Sequence, residues 1–522
     1  MHACLSVDEI VRLVARELVA SGGEATAVAL ACCCKCLEDS VLDVLWVTQN
    51  RLLKLLKSFS GDVWNNDKCT VSTPTTCFSL SLLNGSIRKS FRRLPTTIEW
   101  ARFRKYARRM RELREFDTQG ALSEVLPALQ LHAINEPLLP NLNSLDLWSV
   151  NGPFVPFIPL VLPPRVTSVL LAFLSDVPRA TVASVVSTVP TLCSKLQRIS
   201  LYALPTDPIV TAAVSGMVLA TNRNTLQQFR INSPLTEEAS DVLYKLPDLR
   251  DLSVSVEGET SLPSASLPNL TNLVIECEKE GNWLRLFHGA TLGKLESVMI
   301  YPKSEEIGDF LGAFERVALS SSIQNTLSTF HVRSPCSWNP NYSSLLPFTQ
   351  LVDLVIGFSC DGGCSSRVDD DIVISLSRAM PKLTSLQLGD DPCEELMTGV
   401  TAKGLTALAL HCPKLSILRI HFQVASLSAP PASPGISHNT EPTGSWTDCA
   451  LTDLIVGDMV VPEESVSMVA LTLLRIFPRI GYIEFFDEGW GKVMDVICLS
   501  KRIVDCSSKQ HPLTEVTSLT PL

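Results

Sequence analysis

Histidine, the glycine-rich signatures of catalysis and long apolar runs are all scarce in this 522-residue chain. Its eight histidines do not gather around a nucleophile motif, and no GxGxxG, P-loop or GxSxG occurs. Nothing supports intrinsic catalysis, and no cofactor is implied. The CCCKC run at Cys32–Cys36 contains a CxxC, but no second ligand pair follows at zinc spacing. Small residues at a tight helix contact explain it better. CDGGC, from Cys360 to Cys364, lies ahead of Asp369, Asp370 and Asp371 and reads as a turn between elements, with metal or redox chemistry the lesser alternative. The longest charge-free apolar stretch, Leu147 to Pro164, holds five prolines and cannot be a membrane helix. Asp8, Glu9 and Arg12 stand where a signal peptide is continuously apolar. Together with seventeen cysteines, several adjacent, this points to free thiols in the cytoplasm or nucleus, with no membrane partner.

Charge is unevenly placed. The net charge is −10, yet Arg88 to Arg114 carries eleven Lys and Arg against Glu99 and Glu112, a local balance of +9. The remainder is strongly acidic. That argues against a nucleic-acid partner, which wants an extended basic face.

What is present is a repeat. HCPKLSILRI places Leu415, Leu418 and Ile420 at LxxLxL spacing, and the spacing recurs in LPNLNSLDL, CSKLQRISL, LPDLRDLSV, MPKLTSLQL and others. Thirteen such units have central apolar residues running from Leu145 to Ile483, about 28 residues per unit, with intervals of 21 to 36. In a strand, the fourth and sixth positions of that pattern point to one side and their neighbours to the other. Amphipathic stretches such as SDVLYKL and KGLTALALHC suit short helices returning the chain to the next parallel strand. No unit can bury its own apolar face, so neighbours must stack. VTAKGLTALALHCPKLSILRI, with Cys412 and Pro413 ahead of the strand, resembles the cysteine-containing leucine-rich repeat. The expected fold is α/β, an irregular leucine-rich-repeat solenoid with a parallel curved sheet and helices on its convex side.

The first fifty residues differ. LSVDEIVRLVAREL sets Ile10, Leu13, Val14 and Leu18 on one helical stripe, SGG breaks the helix, and two further short helices follow. Three helices of this size make a weak core that usually needs a partner. CLSVDEIVRLVAREL followed by ALACCCKCLEDSVLDVLW resembles an F-box, with Leu5, Glu9, Ile10, Leu18, Leu45 and Trp46 on the family pattern. Asp8 stands where that family usually has proline; a carboxylate there still favours a helix start. RRLPTTIEWARFRKYARRMREL is similar to the helix after the F-box in fungal F-box proteins with divergent repeats, and sets Trp100, Phe103, Ala107, Met110 and Leu113 along one side.

That resemblance implies a short all-α F-box-like module at 1–59, a linker and basic amphipathic helix at 60–118, the solenoid at 119–490, and a C-terminal helix and tail at 491–522. A Pro/Ser/Gly-rich stretch at 427–446 interrupts the repeats as a flexible insertion. It also implies a substrate-recognition subunit of a cullin-type ubiquitin ligase. A Skp-family adaptor, and through it a cullin scaffold, would sit on Leu5, Asp8, Glu9, Ile10, Leu13, Leu18, Leu45 and Trp46. The alternative is a repeat scaffold whose F-box no longer binds an adaptor. Strand alternation places Trp148, Arg198, Tyr202, Arg230, Met299, Tyr301, His331 and Arg333 outward, the expected face for an unknown protein substrate.

Overall fold

The computed structural model describes residues 7–65, 90–115, 125–132, 137–221, 225–256, 267–277, 292–302, 310–321, 323–335, 338, 340–359, 368–389, 399–428, 449–457, 459–485 and 487–509. Leu5, the Cys360–Cys364 stretch and residues 429–446 of the insertion expected at 427–446 lie outside them; Leu427 and Ser428 instead end the helix Val424–Ser428, with Leu427 buried. The chain divides into two compact units, Met1–Ser255 with Ser261–Leu270, and Val256–Thr260 with Thr271–Leu522.

The first unit opens with three helices, α1 (Asp8–Ala20), α2 (Glu24–Cys33) and α3 (Lys35–Val47). Val11, Ala15, Ala27, Ala31, Leu37 and Val41 form their core, with Leu18 and Leu45 packed against it. The sequence stripe therefore splits. Ile10, Leu13 and Val14 face outward while Val11 and Ala15 take the interior, where α2 presents only alanines to the fully buried core. The small residues that matter on α2 are the alanines; Cys32, Cys33 and Cys36 are exposed.

After α3 come the two-residue strand β1 (Thr48–Gln49) and α4 (Leu52–Leu56). The short strands β2 (Trp64–Asn65) and β3 (Ser90–Phe91) pair antiparallel. Next is α5 (Thr97–Ala107), begun by a capping box: Thr96 Oγ1 accepts from Glu99 N–H, and the Glu99 carboxylate accepts from Thr96 N–H at 2.7 Å. Trp100, Phe103, Ala107, Met110 and Leu113 are all buried. They are not one helix, however. The chain leaves α5 at Arg108, and Leu113 lies in strand β4 (Glu112–Glu115).

From there the repeats build a parallel ladder. Strands β5 (Ser144–Val150), β6 (Ser168–Phe173), β7 (Arg198–Tyr202), β8 (Gln228–Ile231) and β9 (Asp251–Val256) follow β4, and β1 pairs with β4 ahead of them. The register aligns Leu113, Leu145, Val169, Ile199, Phe229 and Leu252 in one row. Helices Arg179–Leu192, Pro208–Ala220 and Glu237–Leu243 return the chain between strands; the last coincides with the SDVLYKL stretch.

The second unit repeats the construction. Its strands are β10 (Asn272–Cys277), β11 (Ser297–Pro302), β12 (Thr329–Pro335), β13 (Asp353–Ser359), β14 (Ser385–Leu388), β15 (Ile417–Ile420), β16 (Asp453–Gly457) and β17 (Tyr482–Phe485). All neighbours pair parallel, in a row from Leu273 through Val298, Phe330, Leu354, Leu386, Leu418 and Leu454 to Ile483. All thirteen central residues expected from LxxLxL are buried in strands. Each such side chain contributes roughly 1.5–3 kcal/mol.

Asp369 caps the helix Asp370–Ala379 by accepting from Ile372 N–H at 2.9 Å. Cys412 ends the helix Ala402–His411 and is fully buried, which pushes its thiol up to about 12. The C-terminal helix Glu488–Lys509 closes the ladder with Trp490, Val493 and Ile497 buried. Trp490 Nε1 donates to the Met459 carbonyl at 2.6 Å and its ring meets Phe422 edge-on, with centroids 6.0 Å apart. Among the described residues no helix is long and apolar enough to cross a membrane.

Candidate functional site

Helical periodicity gives α1 three faces. Val11, Ala15 and Leu18 point into the helical core. A second face carries Ile10, Leu13 and Val14, which are 38%, 58% and 40% exposed. These three apolar side chains are neighbours within one turn and are left partly in water. Glu9 begins the helix beside them and is also exposed. Asp8 occupies the first helical position; no side chain caps the helix from Val7. Instead the Asp8 carboxylate accepts from Ser40 Oγ at 3.0 Å, tying the start of α1 to α3. The residue that departs from the F-box pattern is thus built into the packing of the module.

Leu18 and Leu45 are half-buried against the core, and Trp46 stacks on Tyr106 of α5 with ring centroids 4.8 Å apart. These three expected adaptor residues hold the module together. Ile10 and Leu13 remain available on its surface.

The basic helix lies on the acidic side of α3. Arg109 donates to the Asp39 carboxylate at 2.5 Å, to the Asp39 carbonyl at 3.0 Å and to the Asp43 carboxylate. Lys105 reaches Glu38 at 3.1 Å, and Arg12 of α1 reaches Asp43 at 3.2 Å. The local positive charge is therefore used first on the protein's own carboxylates.

On the strand face of the first unit, Trp148 and Tyr202 stack with centroids 6.0 Å apart and rings 10° from parallel. Arg198, exposed, lies at the start of the same strand as Tyr202. Arg230 has an internal partner: Nε and Nη2 grip the Asp251 carboxylate at 2.8 and 2.5 Å. This fork holds the guanidinium pKa well above its ordinary value, with burial opposing. Nearby, burial raises the Asp146 carboxyl, only partly countered by Ser144 and Arg114.

The strand face of the second unit shows the same device. His331 Nε2 meets Asp353 Oδ2 at 2.7 Å. Burial opposes the charge on Asp353, but that contact holds its pKa below the usual carboxylate range. Met299, Tyr301 and His331 are half-buried on this face, and Arg333 is exposed. The eight expected substrate residues thus fall into two groups of four, one per unit. Asp251 and Asp353 were missed by sequence reasoning. Each immediately precedes the central apolar residue of its strand, a position that could have drawn attention.

No family model and no curated protein matches the chain. Among solved structures it is similar to a chain in the crystal structure of the Rad7 and Elc1 complex in yeast, at 14% identity and a TM-score of 0.36, covering 60% of this chain and 81% of that one.

Proposed function

We propose that the chain is a non-catalytic substrate receptor of a Skp–cullin–F-box ubiquitin ligase. The three-helix module docks a Skp-family adaptor, which brings the cullin scaffold, and the strand face of the repeats holds a protein substrate. The observation that carries this reading is the outward row of Ile10, Leu13 and Val14 on a module whose own core is already closed by Val11 and Ala15. Leu5 and the F-box pattern of the sequence support it.

The test is calorimetry between the full chain and a purified Skp-family adaptor. Binding is expected, and the Ile10→Ala, Leu13→Ala pair should weaken it. Truncating an interface anchor costs more than about 1 kcal/mol each, so the pair should lose at least about 30-fold. Both side chains are outside the core, so helical content should be unchanged. Equal binding by wild type and variant moves the interface elsewhere. No binding by the wild type leaves a repeat scaffold with a degenerate F-box.

A further inference from the structure

A concavity in the first unit lies where α1, α2, α3, α4 and α5 meet, with a volume of about 1310 Å³. Its lining contains eight Arg and Lys side chains against three carboxylates, a surplus of five positive charges. Each carboxylate already has a partner. Glu24 lies 4.0 Å from Lys54, Asp39 lies 2.5 Å from Arg109, and Asp43 lies 3.2 Å from Arg12. Among the described residues the side chains of Arg16 and Lys57 make no hydrogen bond or ion pair, and both are exposed at the cleft. Arg111 spends one donor on the Asn141 carbonyl at 3.2 Å, and a guanidinium has five.

Cations crowded in a concave wall repel one another, and the low-dielectric surroundings focus their field outward. A solvated charged surface spreads such groups over a convex face. Here they converge, and the internal carboxylates have been exhausted.

The geometry points to a binding site for a soluble small molecule with clustered phosphates. Each phosphate monoester brings roughly −1.5 to −2 charge and three strong acceptor oxygens, so about three phosphates match the surplus. Guanidinium groups pair with them bidentately. An acidic peptide distributes single charges along an extended chain and suits a groove better than a cleft. The site borders the proposed adaptor surface without sharing its apolar row. Arg12 lies about 100–160° around α1 from Ile10, Leu13 and Val14, and Arg16, one turn after Leu13, stands at the edge between the two.

Calorimetry of the full chain with inorganic triphosphate tests this, with ATP as a second probe. Saturable binding that weakens steeply with salt is expected, and Arg16→Glu with Lys57→Glu should reduce affinity at least tenfold. Since both positions are exposed, the melting temperature without ligand should stay put; the neutral pair Arg16→Gln, Lys57→Gln should lose less. Equal affinity for the two probes assigns recognition to the phosphates alone, and tighter ATP adds the nucleoside; either upholds the site. Binding unaffected by the charge reversal overturns it, as does the absence of binding to both probes. So does equal binding of a poly-glutamate peptide. Capture only by vesicles bearing polyphosphorylated lipid headgroups overturns the soluble ligand.

Discussion

Trp490 offers a sharp test of how the repeats are held. Its side chain is fully buried, its indole N–H donates to the Met459 carbonyl and its ring abuts Phe422. Trp490→Ala removes the largest buried side chain of the C-terminal helix and should cost about 3–5 kcal/mol. Trp490→Phe keeps most of the ring but orphans a carbonyl, which should cost about 1–3 kcal/mol. In a stack where each repeat touches only its neighbours, this loss should stay near the end of the ladder. Native-state hydrogen exchange within the second unit can see that. A local loss of about 4 kcal/mol accelerates exchange at β16 and β17 by nearly a thousandfold, since 1.4 kcal/mol is a factor of ten. Amides of β11 to β13 should keep their protection. A uniform drop from β10 to β17 would refute nearest-neighbour stability here. No change at β17 would refute the capping role of the helix.

Other expectations concern charge. A double-mutant cycle of Arg109→Met with Asp43→Asn should give a coupling of about 1–2 kcal/mol in the protection of α3, because the Arg109 side chain is only 12% exposed; a coupling near zero would make the contact ornamental. Glu99 is held well below the usual carboxylate range by Arg93, then by Ser60 and the Thr96 N–H. Its stabilisation is therefore complete above the unfolded value of about 4.3 and lost as pH falls below it. Glu99→Gln should flatten that acid limb of the stability curve and cost about 1–3 kcal/mol at neutral pH, read by urea denaturation at several pH values. If the first-unit strand face holds an acidic substrate segment, Arg198→Glu should weaken capture in a pull-down. Asp251→Asn, which releases Arg230, should strengthen it; unchanged capture by both variants would remove the patch from substrate recognition.

Much of the ladder was legible because LxxLxL ties a period-two strand to a shared core, and Phe229, Phe330 and Leu418 could only be strand centres. Met110 and Leu113 misled for a physical reason. Spacings of three and four from Trp100 fit a helical stripe as well as they fit a helix that ends and a strand that begins. On α1 the apolar residues outnumber the places the core can fill, so composition alone did not say which of them stay outside. The partner of Arg230 was invisible because it depends on register: Arg230 stands opposite Ser253, and Asp251 is reached diagonally across the strands. His331, opposite Val355, reaches Asp353 by the same diagonal.

The way the helical module is fastened sets a distance. Arg111 N–H donates to the Val47 carbonyl at 2.9 Å where α3 ends, and Thr48–Gln49 pairs with Glu112 and Leu113 at the head of the first-unit ladder. A few residues earlier, Arg109 and Lys105 clamp the flank of α3. Two separated attachment lines make a bracket rather than a tether, so the outer face of α1 has a fixed offset and bearing from β5 to β8. Anything carried on α1 is held at constant reach from anything carried on those strands. Loosening the clamp at Arg109 would let that reach vary without touching either surface, and the loss would appear as geometry rather than affinity.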